Sequence, residues 1–361
     1  MQTELTELIK KADMYERLCE LYPRKTSYLQ RYAELLIRLG RNFHAQTVLT
    51  QLQGILQELG DKQQAKEVDN LLSSLTKNAL SSHSYLASFF QHAEPALLDK
   101  LIDRHTRIEL KQGEYLIRQG EKSRAMYIVL DGKLSVWRHI PRDKEPILLE
   151  NLEKGDTIGE IGFVHGGDRI ADVLANQDSV LLKLTSSEIM KQMLEDSAFE
   201  TALHNEATTR YHMALITQNQ EFRTLPMHLR RFIAEGAKLK KYGALKRIAS
   251  AGKKIAAIGV VTEGKVSIAL DRPDGRSKIR QALSPGDMFG ESAAVADMPS
   301  AGSLTYLCDY AAIHPCEVLY IPLGLVRTAI KLHPPFKLAL GKHATQHMNE
   351  TIKLIREMSE Q

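Results

Sequence analysis

The chain has 361 residues, 43% of them hydrophobic and 25% charged, with 48 Lys and Arg against 44 Asp and Glu for a formal net charge of +4. That length accommodates two or three domains with packed cores. So weak a positive balance excludes any electrostatic demand for nucleic acid or a membrane surface.

Residues 2–78 carry helical periodicity almost throughout. The spacing predicts helices over Glu4–Leu21, Thr26–Leu39, Asn42–Leu59 and Lys62–Leu75, broken at Pro23, Gly40 and Gly60. Tyr32, Leu35, Leu36 and Leu39 recur at helical intervals. Leu39-Gly40 before Ala45, and Leu59-Gly60 before Ala65, resemble tetratricopeptide-type hairpins, but the two signals lie 20 residues apart rather than the repeat's ~34. This gives an N-terminal helical module over 1–78. The polar stretch Asn78–Ser84 reads as a linker.

A second region, 79–222, begins with an expected helix around Phe89–Leu101. Short apolar runs then alternate with glycine turns, among them Gln119-Gly120-Glu121 and Asp131-Gly132, as in a small antiparallel barrel. At its heart lies Gly155-Asp156-Thr157-Ile158-Gly159-Glu160-Ile161-Gly162, followed by Gly166-Gly167-Asp168-Arg169-Ile170-Ala171. A carboxylate such as Glu160 accepts hydrogen bonds from a sugar hydroxyl, and a guanidinium such as Arg169 offers two parallel donors to phosphate oxygens. Glycines let backbone N–H groups approach an anion closely. After a last strand Val180–Leu184, helices are expected over Ser186–Leu194 and Ser197–Glu221.

The order strand, Gly-Glu, short helix, Arg, strand resembles the phosphate-binding cassette of the cyclic nucleotide-binding domain family. The usual F-G-E-L-A/G and R-S/A-A read here as I-G-E-I-G and R-I-A. Upstream, Gly113–Glu121 and Met126–Leu134 resemble the family's opening hairpins. The resemblance implies that Glu160 holds the ribose 2′-hydroxyl and that Arg169 holds the cyclic phosphate. The N–H groups of Ile170 and Ala171 then face that phosphate, and Gly159, Ile161 and Gly162 pass close to the sugar. Family members selective for cGMP often carry Thr or Ser after the arginine; Ile170 points to cAMP instead. Tyr211, on the helix after the barrel, is a candidate cap for the base, though a packed or exposed helical aromatic is the plainer reading.

The third region, 223–361, repeats the second. Gly286–Glu291 matches Gly155–Glu160 at an offset of 131, and Gly264–Ser267 matches Gly132–Ser135 at 132. Phe336, Ala339, Leu340, Ala344 and Thr345 match Phe199, Ala202, Leu203, Ala207 and Thr208 at 137. The expected fold is α+β: helical hairpins, then two jelly-roll barrels with flanking helices. Counting nine residues past Glu291 places Ser300 at the position of Arg169, beside Ala301, and a serine supplies neither charge nor a fork. If Gly252 corresponds to Gly113, the opening hairpin is shortened and lacks the Gln-Gly-Glu turn. Gly290, Glu291, Ser300 and Ala301 therefore read as a degenerate second site, unless Lys265 or Arg280 supplies charge to a changed ligand.

Weaker signals remain. His343 and His347 are four apart on an expected helix, but no third metal ligand is evident and surface histidines are the plainer reading. His165 beside Asp168 reads as a surface or sugar-proximal residue. Arg230, Arg231, Lys238, Lys240 and Lys241 read as the basic face of one helix. The Lys246–Ser250 stretch looks like a basophilic kinase site, but it falls inside the second barrel, so a kinase regulatory subunit is not the reading. Cys19, Cys308 and Cys316 form no metal or redox motif and suit reduced thiols in a cytoplasmic protein. With no signal peptide and no transmembrane run expected, the chain reads as a non-enzymatic cytoplasmic receptor without cofactor. On this reading cAMP is expected in the first barrel, with the helices meeting a partner protein or a second copy. No helix-turn-helix follows the first barrel, which argues against specific DNA binding. A constitutive scaffold, or a receptor for cGMP or cyclic di-GMP, are the alternatives.

Overall fold

The computed structural model describes residues 2–38, 42–80, 106–195, 197–271, 277–296 and 304–359. The helix expected around Phe89–Leu101 lies outside them, as do Ser300 and Ala301. Two compact units are present, Met1–Arg210 and Tyr211–Gln361. Among the described residues no helix is long and apolar enough to cross a membrane.

The first unit opens with α1 (Gln2–Leu21), α2 (Thr26–Arg38), α3 (Asn42–Leu59) and α4 (Lys62–Leu80). Gly60 stops α3 at φ 73°, where a side chain would be strained. Asp61 then caps α4, its Oδ1 accepting the Gln64 N–H at 3.1 Å. Each helix packs on the next and buries Leu29, Leu36, Leu49 and Leu52, each worth roughly 1.5–3 kcal/mol. Of the linker expected over Asn78–Ser84, Asn78–Leu80 belong to α4, and residues 81–84 lie outside the described residues. No Gly or Pro interrupts Asn78–Leu80, and a polar composition alone does not stop a helix.

Eight strands follow: β1 (Thr106–Leu110), β2 (Tyr115–Ile117), β3 (Met126–Asp131), β4 (Lys133–Arg138), β5 (Ile147–Glu153), β6 (Thr157–Ile158), β7 (Asp172–Ala175) and β8 (Ser179–Leu184). They form two open antiparallel sheets, β1-β8-β3-β6 and β2-β7-β4-β5, so the barrel expected from the sequence is an open jelly-roll-like sandwich. Ile117, Val129, Leu134 and Leu181 fill it. One short helix, α5 (Glu160–Val164), interrupts the β6–β7 connection. Two more, α6 (Ser186–Glu195) and α7 (Ser197–Ile216), follow β8, and Phe199 and Leu203 of α7 pack on Met126, Ile128 and Leu182. The sequence reading ran α7 on to Glu221. It stops at Ile216 because the Asn219 side chain accepts the Phe222 N–H at 3.2 Å and starts a new turn.

The second unit continues with α8 (Gln220–Arg223), α9 (Met227–Gly236), β9 (Lys238–Tyr242), β10 (Arg247–Ala249), β11 (Ala257–Glu263), β12 (Val266–Asp271), β13 (Ser277–Leu283), β14 (Met288–Phe289), α10 (Ser292–Val295), β15 (Asp309–Ala312), β16 (Cys316–Pro322), α11 (Leu323–Leu332) and α12 (Pro334–Ser359). Its sheets, β9-β16-β11-β14 and β10-β15-β12-β13, repeat the strand order of the first unit. The basic residues 230–241 do not share one helix: α9 ends at Gly236, Ala237 is extended, and Lys238, Lys240 and Lys241 belong to β9.

Candidate functional site

The first cassette is built around a glycine whose replacement would force its neighbours to shift. Gly159 caps α5 at φ 96°, and a Cβ there would sit 2.6 Å from Ala125 O and 2.7 Å from Arg169 Nη1. The gap admits the Arg169 guanidinium, which donates to Gly159 O at 3.1 Å and to Ala125 O at 2.6 Å. Gly162 borders the same group, since a Cβ there would lie 3.2 Å from Nη1. The fork is thus held by backbone carbonyls, with 5% of the residue exposed. Among the described residues no carboxylate lies within ion-pair distance of it, and its Nε is buried without a hydrogen-bond partner. Burial lowers the Arg169 pKa, opposed by the charges of Tyr127, Glu160 and Glu121. A desolvated cation in this state is a good host for an anion.

Glu160 is the complementary half. It is 3% exposed, with Oε1 accepting from Arg210 Nη1 at 3.0 Å and Oε2 unpartnered. One oxygen therefore anchors the carboxylate and the other is left to accept. Ile161 is half-buried and Ala171 buried. The N–H groups of Ile170 and Ala171 donate to no acceptor among the described residues, whereas the Arg169 N–H donates to Glu121 O at 2.8 Å. Lys122, Ser123, Arg124, Gly167 and Asp168 line an open surface cleft. His165 is exposed and closes α5, its N–H on Ile161 O at 2.9 Å. Tyr211 falls in the second unit.

Sequence reasoning missed Arg210. Its Nη1 also donates to Thr157 O at 2.7 Å. Its Nε lies 3.1 Å from Glu150 Oε2 and 2.7 Å from Glu206 Oε1, as ion pairs without the alignment of hydrogen bonds. Burial opposes the charge, but Glu150, Glu160, Glu206 and Asp156 hold the guanidinium protonated. The only sequence signal was Glu206 four residues before it, a spacing that usually marks a solvated helix pair.

The second cassette preserves the backbone and replaces the side chains. Hydrogen bonds fix the correspondence. Gly120 N–H donates to Arg169 O and Arg169 N–H to Glu121 O; in the second copy Gly252 N–H donates to Tyr306 O and Tyr306 N–H to Lys253 O. Asp172 Oδ1 accepts from Gln119 N–H as Asp309 Oδ1 does from Ala251 N–H. Tyr306, not Ser300, thus occupies the place of Arg169, and a Cβ on Gly290 would face Ala257 O and the Tyr306 ring. The hairpin is not shortened either. Gly252 corresponds to Gly120, whose turn has its counterpart in Ala251-Gly252-Lys253. Gly113 corresponds to Leu245, which takes φ 61° and donates to Ala312 O as Gly113 does to Ala175 O. The extra residues fall between Glu291 and Tyr306, so counting from Glu291 stopped short.

The loss of charge is accompanied by filling. Phe289 stacks on Tyr310 at 4.7 Å between centroids and meets Tyr306 at 6.2 Å and Tyr320 at 6.4 Å. Burial pushes the Tyr306 phenol up to about 12, so it stays neutral. Glu291 keeps the place of Glu160, but His347 Nδ1 lies 2.9 Å and His343 Nδ1 3.6 Å from its Oε1. Burial alone would raise that carboxyl; the two imidazoles bring it down to about 2. The cavity left here is about 50 Å³, far below the ~300 Å³ of a small-ligand pocket. Lys265 is exposed, and the side chain of Arg280 lies outside the described residues.

Several known proteins are similar to this chain. The cAMP-dependent protein kinase type II regulatory subunit of Drosophila melanogaster is 24% identical over 244 residues, covering 68% of this chain and 57% of the relative. The cAMP-dependent protein kinase regulatory subunit of Dictyostelium discoideum is 22% identical over 219 residues, covering 60% and 64%. The chain thus spans less than two thirds of either relative. The solved regulatory domain of Toxoplasma gondii PKA with cAMP is 19% identical, covering 73% of this chain and 93% of that one at a TM-score of 0.34. Residues 107–196 and 239–333 each match the model of the cyclic nucleotide-binding domain. With these two segments making up more than half of its length, the chain belongs to the cyclic nucleotide-binding domain family.

Proposed function

We propose that the chain is a non-enzymatic cyclic nucleotide receptor that binds one cAMP, in the first cassette. The observation that carries this reading is the pairing, among the described residues, of a buried guanidinium without a carboxylate partner and a buried carboxylate with one unpartnered oxygen, Arg169 and Glu160. The first suits the cyclic phosphate, the second the ribose hydroxyl, and the Ile170 and Ala171 N–H groups add neutral donors. Ile170 carries no hydroxyl to meet a guanine amino group, which favours adenine over cGMP or cyclic di-GMP. The second cassette takes no nucleotide: a neutral phenol stands where the guanidinium was, and aromatic rings fill the interior. Nucleotide in the first unit then biases the helices toward one arrangement and alters contact with a partner protein in the cytoplasm. Its influence is limited to its difference in affinity for the two arrangements.

Calorimetric titration of the purified chain with cAMP, cGMP and cyclic di-GMP tests the reading. The expected result is one cAMP per chain. Arg169→Ala weakens binding by about 2–5 kcal/mol, or roughly 1.5–3.5 decades, with circular dichroism unchanged. Normal binding by that variant overturns the phosphate assignment. Silence with all three nucleotides leaves a constitutive scaffold gripping its partner through α1–α4.

A further inference from the structure

We propose that the second unit has exchanged its nucleotide site for a divalent transition-metal site, Glu291–His343–His347, of the zinc class. This inference does not depend on what the first cassette binds. The two copies show the exchange position by position. Glu291 stands where Glu160 does in the first cassette. At the offset of 137 that relates α12 to α7, His347 replaces Arg210 and His343 replaces Glu206. The first unit therefore holds a Glu–Arg–Glu cluster, and the second a Glu–His–His cluster on the same backbone.

The chemical consequence of the swap is specific. A guanidinium has five donors and no lone pair to give, so the first cluster cannot ligate a cation through Arg210. Each imidazole offers a nitrogen lone pair, and spacing of four along α12 puts both on one face. One ligand atom each from Glu291, His343 and His347 falls within a set whose members all lie within 4.8 Å of one another. Donor atoms ~2.0–2.2 Å from a tetrahedral zinc stand ~3.3 Å apart, so closure requires side-chain movements of about an ångström.

Two further observations point to an ion rather than to a simple hydrogen-bonded pair. Glu291 is 2% exposed, and its Oε2 has no hydrogen-bond partner, an expensive state for a buried carboxylate. A cavity of about 50 Å³ also opens on the cluster, lined in part by Glu291, His347, Thr305 and Tyr306. That space takes a cation and a water. Three protein ligands plus water is the open tetrahedral pattern of zinc, and mixed nitrogen and oxygen donors favour zinc over magnesium or calcium. An ion here fastens α12 to the cassette through Glu291.

The test uses the full, untagged chain after chelator treatment, titrated with Zn²⁺ by calorimetry, with Co²⁺ as a spectroscopic probe. The expected result is one tight ion per chain, a rise in Tm on adding Zn²⁺, and visible tetrahedral Co²⁺ absorption. His343→Ala lowers the affinity by more than the ~10–100-fold that loss of an outer partner costs. His347→Arg restores the Arg of the first unit, keeps a partner for Glu291 and removes a ligand, so it separates metal loss from misfolding. A His347→Arg chain that is folded by circular dichroism yet binds no tight ion supports the site. Tight binding that survives either substitution overturns the proposal, as does the absence of tight binding by the unaltered chain.

Discussion

At the scale of single residues, the first site depends on side chains too buried to be read as ordinary surface charges. Gly159 is the narrowest point, because positive φ and the close approach of Arg169 coincide there. Gly159→Ala is expected to cost about 1–3 kcal/mol of stability from backbone strain and to push the guanidinium off Ala125 O. Chemical denaturation and cAMP titration should both register the change. Arg210 compensates Glu150, Glu160 and Glu206 together. Arg210→Leu removes the cation that these carboxylates share, at about 3–5 kcal/mol, which lowers Tm by roughly 10 °C. Arg210→Lys keeps the charge without the fork and should fall between. An unaltered melting curve for Arg210→Leu would show the cluster to be energetically idle. Glu160 and Arg169 were legible because glycines frame them at a recognisable spacing. Arg210 was not, because its partner carboxylates Glu150 and Glu160 lie 60 and 50 residues back along the chain and only folding brings them to it.

Among the elements, the breaks were easier to read than the loops. Pro23 and Gly60 act locally, so the limits of α1 and α3 follow from the sequence alone. The segment between Glu291 and Tyr306 does not behave that way. Lengthening a connection costs little entropy, so a fixed count across an insertion places the wrong residue at its far end. The ladder bonds on either side, from Gly252 and Tyr306, restore the register. The same ladder marks a strained turn. Leu245 holds φ 61° at the position of Gly113 and is 84% exposed. A left-handed non-glycine residue costs roughly 1–2 kcal/mol, partly offset by the entropy a glycine loses on folding. Leu245→Gly should therefore raise stability by up to about 1 kcal/mol, read as a slightly higher urea midpoint with an unchanged slope. A fall in the midpoint would mean that the leucine makes a contact worth more than the strain.

Across the whole molecule, duplication was visible in the sequence as three nearly constant offsets, and the identical strand orders of the two units follow from it. Divergence was only half visible. The missing arginine could be inferred, but the rings of Phe289, Tyr306, Tyr310 and Tyr320 look like ordinary core residues until β11, β14, β15 and β16 bring them together. Restoring charge alone should accordingly fail. Tyr306→Arg is expected to leave the stoichiometry at one cAMP per chain, because the interior stays filled and Glu291 stays engaged by His343 and His347. Two equivalents in that titration would show that the aromatic filling yields readily. The matched ladders have one more use. Gly120 and Gly252 donate the same bond, at 2.8 Å in each copy, one to the residue that carries the guanidinium and one to the residue that carries the phenol. Their amides form a paired reporter within one polypeptide. In deuterium exchange, whatever slows both describes the shared scaffold, and protection that nucleotide adds to Gly120 alone isolates the ligand's contribution, with the second copy serving as the blank.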